Sequence, residues 1–443
     1  MSILKTMYSA ASGLLAHAEA ISVASDNIAN VNTVGFKSQR ARFEDVLGST
    51  VAGAVDNQTS GQGVRLGGVH TVWTQGSMIG SRNNTDMAIQ GDGFFVVQGA
   101  FDGVQNGKFY SRDGQFNINN EGMLVNTAGL QVQGYVADQD ENISSTLSSL
   151  EIPLTKIVPP KQTDEIVIGA NLSPQPSSAF IANFNKDDPE NTSHFSTSVT
   201  VYDSLGVGHN VNVFFNQTAT GSWEWNALAN GAELADPANN ANTREAEGNV
   251  ILANGTITFD STTGLLDTES QTTQTFHFYN ADPNMAITID FGDSITTDGG
   301  TGLGGVTQFD ASSSVSDIRQ NGYASGALAG VNVDLDGKIV GTFTNGERRV
   351  LAAVALARFV NNDGLIRRDG GHYAASPDSG QALVGRAGTG GRGSIVGNNL
   401  EQSTVELAEQ FVSVISYQRG FQANSRSIST ADDLLQEAVN LKR

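Results

Sequence analysis

The chain has 443 residues, enough for about three domains, with 39% hydrophobic and only 16% charged residues. Fifty glycines and a low aromatic content point to many turns and short strands, and the absence of cysteine excludes a disulfide framework and any thiolate chemistry. A net charge of −21 argues against nucleic acid as a partner, because binding phosphates needs clustered Lys and Arg.

At the N-terminus, Leu4, Met7, Ala11, Leu14, Ala18, Ile21, Ser25 and Ile28 follow 3,4 spacing, which predicts a long helix with a coiled-coil-like seam. One column of the seam is heavy (Met7, Leu14, Ile21, Ile28) and the other mostly light. Asn30, Asn32 and Gly35 supply stop signals. His17 is placed on an exposed face of this helix. No continuous apolar region of a cleavable signal is present in residues 1–30.

Strand signals follow. Ala88–Val97 is an apolar run around Gly91 and Gly93, and Asp113-Gly114, Glu121-Gly122 and Ala128-Gly129 separate short apolar runs as hairpin turns do. The composition then shifts. Residues 162–310 carry nineteen acidic side chains against Lys186 and Arg244, and eight of the nine prolines lie between Pro153 and Pro283. This marks 150–310 as an inserted all-β domain with a solvated acidic surface. Strand signals resume around Asp336-Gly337 and Asn345-Gly346, and the longest apolar run, Val350–Ala357, is far short of the roughly 20 residues that span a bilayer.

The C-terminus mirrors the start. Leu407, Phe411, Val414, Phe421, Ile428, Leu435 and Val439 lie on a second 4,3 seam, with Ser403 and Glu406 reading as a capping box. The expected architecture is multidomain α+β and nested. Terminal helices (1–32 and 400–443) enclose extended connecting segments (33–75 and 376–399), a discontinuous β-rich core domain (76–149 and 311–375) and the inserted outer domain (150–310). Two long seams of this kind are expected to find no partner inside the chain and to be buried between subunits.

Catalytic and metal-binding patterns are weak. Gly300–Gly305 and Gly388–Gly393 match a dinucleotide fingerprint, but neither sits at a strand-to-helix turn, and fifty glycines make chance matches common. Asp334-Leu335-Asp336-Gly337 lacks the closing Glu of a calcium loop and reads as a hairpin. The six histidines show no metal spacing. No enzyme, cofactor or metal is expected.

The residues around these helices are familiar. Ser12-Gly13-Leu14 followed by Asn27-Ile-Ala-Asn30-Val-Asn32-Thr-Val-Gly35-Phe36-Lys37 resembles the N-terminal signature of the flagellar axial rod and hook protein family. Ile89–Phe95 with Tyr110–Gly114 is similar to the family's core domain. Leu400-Glu401-Gln-Ser403 and Tyr417–Asn424 resemble its C-terminal helix, although Ser403–Leu407 departs from the usual motif. The long insertion favours a hook-type member over the shorter rod subunits, with a distal rod subunit or a secreted β-rich binding module as alternatives. The resemblance implies a self-assembled, curved and flexible tube outside the cell, lined by the terminal helices and exported without a cleavable signal. Its implied partners are copies of itself, the rod, a hook cap, the hook–filament junction proteins and the flagellar type III export apparatus, with no membrane insertion.

Overall fold

The computed structural model of the protein describes residues 3–47, 61–138, 141–152, 157–175, 179–235, 244–245, 247–272, 275–283 and 285–440. The chain divides into two compact units. The first is Met1–Leu154 with Ala329–Thr342 and Arg348–Arg443, and the second is Thr155–Leu328 with Phe343–Glu347. The stretch 311–328, expected in the core domain, belongs to the second unit because Ser314–Gln320 pairs antiparallel with Glu165–Asn171 there.

In the first unit, Arg348–Arg358 is the organising strand. Its neighbours are Lys338–Phe343 on one side and Gln131–Val136 on the other, and the sheet continues through Phe94–Phe101, Val104–Ser111, His372–Ala374 and Ile366–Arg367. Ala352 to Ala357 are all buried, as a strand covered on both faces requires, and this explains the unbroken apolar run in the sequence. Gly337 and Gly346 hold φ of 71° and 85° in the turns between strands, which only glycine adopts without strain. Phe94, Tyr110, Phe359 and Tyr373 pack together with Trp73 against one part of this sheet.

The segments 33–75 and 376–399 are not plain connectors. Gln39–Leu47 and Gly61–Thr71 form a long antiparallel hairpin. Leu383–Arg386 joins the main sheet, Ser394–Gly397 pairs with Met87–Gln90, and Asn399–Glu401 pairs with Met78–Gly80.

The second unit is built on an antiparallel meander of five strands, Phe195–Tyr202, Gly208–Ala219, Ser222–Asn230, Asn249–Phe259 and Leu266–Thr272. The turn after Tyr202 is an Asx turn in which Asp203 Oδ1 accepts from the N–H groups of Leu205 and Val207. Phe215, Trp223, Trp225, Phe276, Phe278 and Phe291 are fully buried and supply the core, with Ile166 and Ile168 from a separate three-stranded sheet. Among the described residues no helix is long and apolar enough to cross a membrane.

Two helices close the first unit, α1 (Ile3–Ala29) and α2 (Leu407–Asn440). The second starts one turn later than a capping box at Ser403 demands. Thr404 is instead drawn against the chain that leaves α1: its N–H donates to Phe36 O and its Oγ1 accepts from Ser38 N. Ser403 Oγ accepts from Val405 N, and Gln410 N makes the first helical bond, to Glu406 O.

Candidate assembly site

The first 29 residues contain few large side chains on the face that the chain itself covers. Ala10, Gly13, Ala16, Ala20, Ala24 and Asn27 form the buried stripe of α1. Small side chains let helix backbones approach closely, and α2 and the hairpin lie against α1. The pairing with α2 is antiparallel, since Gly13 meets Asn424, His17 meets Gly420 and Asn27 meets Gln410. The helices therefore do have a partner within the chain. The sequence pattern alone missed it, because a stripe of Ala and Gly carries little hydropathic signal.

His17 is also not on an exposed face. Its ring is half-buried in a cluster with Phe43 of the hairpin, 5.3 Å away, and Tyr417 of α2, 6.3 Å away. Ser12 Oγ accepts from Val64 N and so ties the other strand of the hairpin to α1.

The residues of the expected seams are divided by this packing. In α1, Met7, Leu14, Ile21 and Ile28 are half-buried, while Leu4, Ala11, Ala18 and Ser25 are exposed. In α2, Val414, Ile428 and Leu435 are half-buried, while Leu407, Phe411 and Phe421 are exposed; the Val439 side chain lies outside what the structure describes. Large apolar side chains beyond the seams face outward as well, notably Tyr8 (75% exposed), Leu15 (70%), Val412 (67%) and Ile415 (50%). A free chain thus presents apolar helix surface of the kind that marks an interaction site.

The helix pair is fixed to the β core by buried polar groups. Asn27 is fully buried, and its side chain bonds both the N–H and the C=O of Gln39 while donating 3.0 Å to Gln410 Oε1. Asn30 Nδ2 donates to Asp26 O and closes the helix; Asn32 is exposed in the following turn. Gly35 has φ of 68°, and a side chain there would meet the Arg112 backbone at 2.6 Å, so both conformation and space demand glycine. Phe36 is buried under Arg367, whose guanidinium lies 5.1 Å from the ring centroid and also reaches Asp26.

Next to it Lys37, Arg112 and Glu401 are all buried. Glu401 Oε1 accepts from Lys37 Nζ at 2.6 Å and from Gly76 N at 2.8 Å, and Oε2 accepts from Arg112 Nη1 at 3.3 Å. Lys37 Nζ donates further to Thr74 O, and Arg112 Nη2 to Gly91 O. Burial pulls both cations below their ordinary pKa, against the opposing pull of the Glu401 carboxylate. One carboxylate therefore joins the strand leaving α1, the strand entering α2 and two loops of the core. The spacing of residues 37, 112 and 401 gave no signal for this meeting, because only the fold brings them together.

The terminal helices are thus paired, rooted in the β core by buried polar groups, and apolar on their outward faces. Four family models match in chain order. They are the flagella basal body rod protein (residues 7–37), the flagellar hook protein FlgE/F/G D1 domain (88–171), the flagellar basal body protein FlaE D2 domain (170–323) and the flagellar basal body rod FlgEFG protein C-terminal region (396–441). This is the class of flagellar rod and hook subunits. The chain is 30% identical to the flagellar hook protein FlgE of Treponema pallidum over 100% of both chains, and 31% identical to that of Borreliella burgdorferi over 99% of this chain and 100% of the other. It is 31% identical to FlgE of Salmonella typhimurium over 98% and 99%. The crystal structure of Helicobacter pylori flagellar hook protein FlgE2 shares the fold with a TM-score of 0.51 at 16% identity, covering 72% of this chain and 98% of that one. The chain belongs to the flagellar hook protein family.

Proposed function

We propose that this hook subunit polymerises through its terminal helices into a curved, flexible tube that passes torque from rod to filament. The observation that carries the reading is the outward row of large apolar side chains on both helices, Tyr8, Leu15, Phe411, Val412 and Ile415, which the free chain leaves exposed. An interface repeated with a rotation that does not close generates an open helical tube. The seam residues Leu4, Met7, Ala11, Leu14, Ala18, Ile21, Ser25 and Ile28 of α1, and Leu407, Phe411, Val414, Phe421, Ile428, Leu435 and Val439 of α2, would then be shared between subunits as coiled-coil-like contacts. The acidic second unit would form an outer domain of this tube. Copies of the chain, the rod, a cap, the junction proteins and the type III export apparatus would be its partners, outside the cell.

The chain lacks cysteine, so a single Leu15→Cys variant tests the reading. A water-soluble maleimide should label the free chain fully and the polymer at least tenfold less. Equal labelling of both, with tubes visible by electron microscopy, would exclude the outward helix face as the interface.

A further inference from the structure

Each terminal helix contains a single glycine, Gly13 in α1 and Gly420 in α2. Glycine is a poor interior helix residue, so two of them in otherwise regular helices call for a reason. A methyl group on Gly13 would lie 2.7 Å from Asn424 Nδ2 and 2.9 Å from its Oδ1, and one on Gly420 would lie 2.6 Å from Cε1 and Nε2 of His17. The arrangement is reciprocal. Each helix offers a glycine as a hole and, four residues away, a polar side chain that fills the hole of the other.

The knobs are held in place. The His17 ring packs in one cluster with Phe43 and Tyr417, and Asn424 Nδ2 donates 2.9 Å to Gly420 O. The same antiparallel alignment continues to Asn27 and Gln410, where Asn27 Nδ2 donates to Gln410 Oε1. Apolar periodicity could not choose this alignment, because heptad columns superimpose again after a slip of seven residues. Such a slip would set His17 opposite Ser413 or Ser427, and Gly13 opposite Tyr417 or Ala431, so both holes and both knobs would be mismatched at once.

We propose that Gly13–Asn424 and His17–Gly420 form a register lock that makes the N-terminal helix accept the C-terminal helix of its own chain in one alignment. The lock rests on the assembly role proposed above only for its consequence; the alignment itself is a property of the free chain. It answers a need visible in the chain, since both ends match models shared with rod proteins, and helices of such similar pattern require a feature beyond hydropathy to pair correctly.

The register places Ala24 opposite Ser413, one turn from the Asn27–Gln410 contact. In an Ala24→Cys/Ser413→Cys background, mild oxidation of the free chain should give an intramolecular disulfide in high yield. Gly420→Ala should lower that yield at least fivefold. Alanine favours a helix over glycine, so a loss cannot be ascribed to helix propensity. Adding His17→Ala to Gly420→Ala removes the knob and should restore the yield to within twofold of the parent. An unchanged yield in Gly420→Ala, no recovery in the double variant, or disulfides that form between chains instead of within one would each overturn the proposal. Because the disulfide is read before polymerisation, a register that behaves as expected in a chain that forms no tubes would leave the lock standing and reject the assembly reading.

Discussion

Phe411→Glu tests whether the exposed face of α2 is a contact between subunits. Phe411 is 53% exposed on α2. An aromatic side chain buries roughly 150–250 Å², so about 100 Å² remains to be covered, worth about 2–3 kcal/mol at ~25 cal/mol per Å². Placing an unpaired carboxylate in the same position of a subunit interface adds a desolvation cost of about 2 kcal/mol or more. A loss of about 4 kcal/mol raises the chain concentration needed for association by about a thousandfold. The free chain should stay folded, losing only the contacts of the part of Phe411 that it already covers, since the new carboxylate is solvated and Glu is at least as good a helix former as Phe. Sedimentation and electron microscopy of the purified variant read assembly, and thermal unfolding by circular dichroism reads the free chain. Tubes at the parent concentration would refute the interface. A free chain that no longer unfolds cooperatively would show instead that the loss of assembly lies within the chain.

Further outcomes follow from the interior. Burial, together with Asp290 and Asp298, pushes the Glu269 carboxyl up to about 6 from the usual 4.5, so its contribution to stability is complete below pH 4.5 and is lost as pH rises through 6. Glu269→Gln should therefore stabilise the second unit at pH 7, by less than about 1 kcal/mol because the group is partly solvated, and leave it unchanged at pH 4; urea unfolding in a Trp73→Phe background, where only Trp223 and Trp225 fluoresce, measures this, and a gain at pH 4 would contradict it. Glu401→Gln leaves Lys37 and Arg112 buried without their carboxylate and should destabilise the first unit by about 3–5 kcal/mol, while unfolding of the second unit, read by its two tryptophans in the same Trp73→Phe background, stays within error. Joining residue 154 to 329 through a short linker removes most of the second unit, and the product should keep a folded first unit and still form tubes by electron microscopy; a folded product that cannot polymerise would count against an outer, dispensable domain.

The strands were legible because local chemistry fixes them. Glu121-Gly122, Ala128-Gly129, Asp336-Gly337 and Asn345-Gly346 mark turns in which each glycine has positive φ, and the run Val350–Ala357 announces a strand buried on both faces. The two long helices were legible from their period. What the helices pack against was not, because Ala10, Ala16, Ala20 and Ala24 have too little hydropathy to outweigh Met7, Leu14 and Ile21 in a periodicity reading. Lys37, Arg112 and Glu401 were hidden for a related reason. A charged residue is ordinarily at the surface, and three of them buried together are visible only once the hairpin, the core loop and the strand before α2 have been brought to one point.

The placement of side chains on α1 inverts the rule for a globular helix, in which the largest apolar groups go inward. Here the inward stripe is Ala, Gly and Asn, and the outward positions hold Leu4, Tyr8 and Leu15. Close approach of small residues gives the pair a defined geometry at modest cost in buried area, and it leaves the large apolar side chains uncovered. The two surfaces should therefore fail differently. Enlarging an inward residue disturbs alignment within the chain, whereas charging an outward one spares the chain and acts only when copies meet. The buried Lys37–Glu401–Arg112 cluster lies at the root of the pair and belongs to neither surface. Its position there means that the direction in which the helices leave the β core is set by the chain itself, before any second subunit is met.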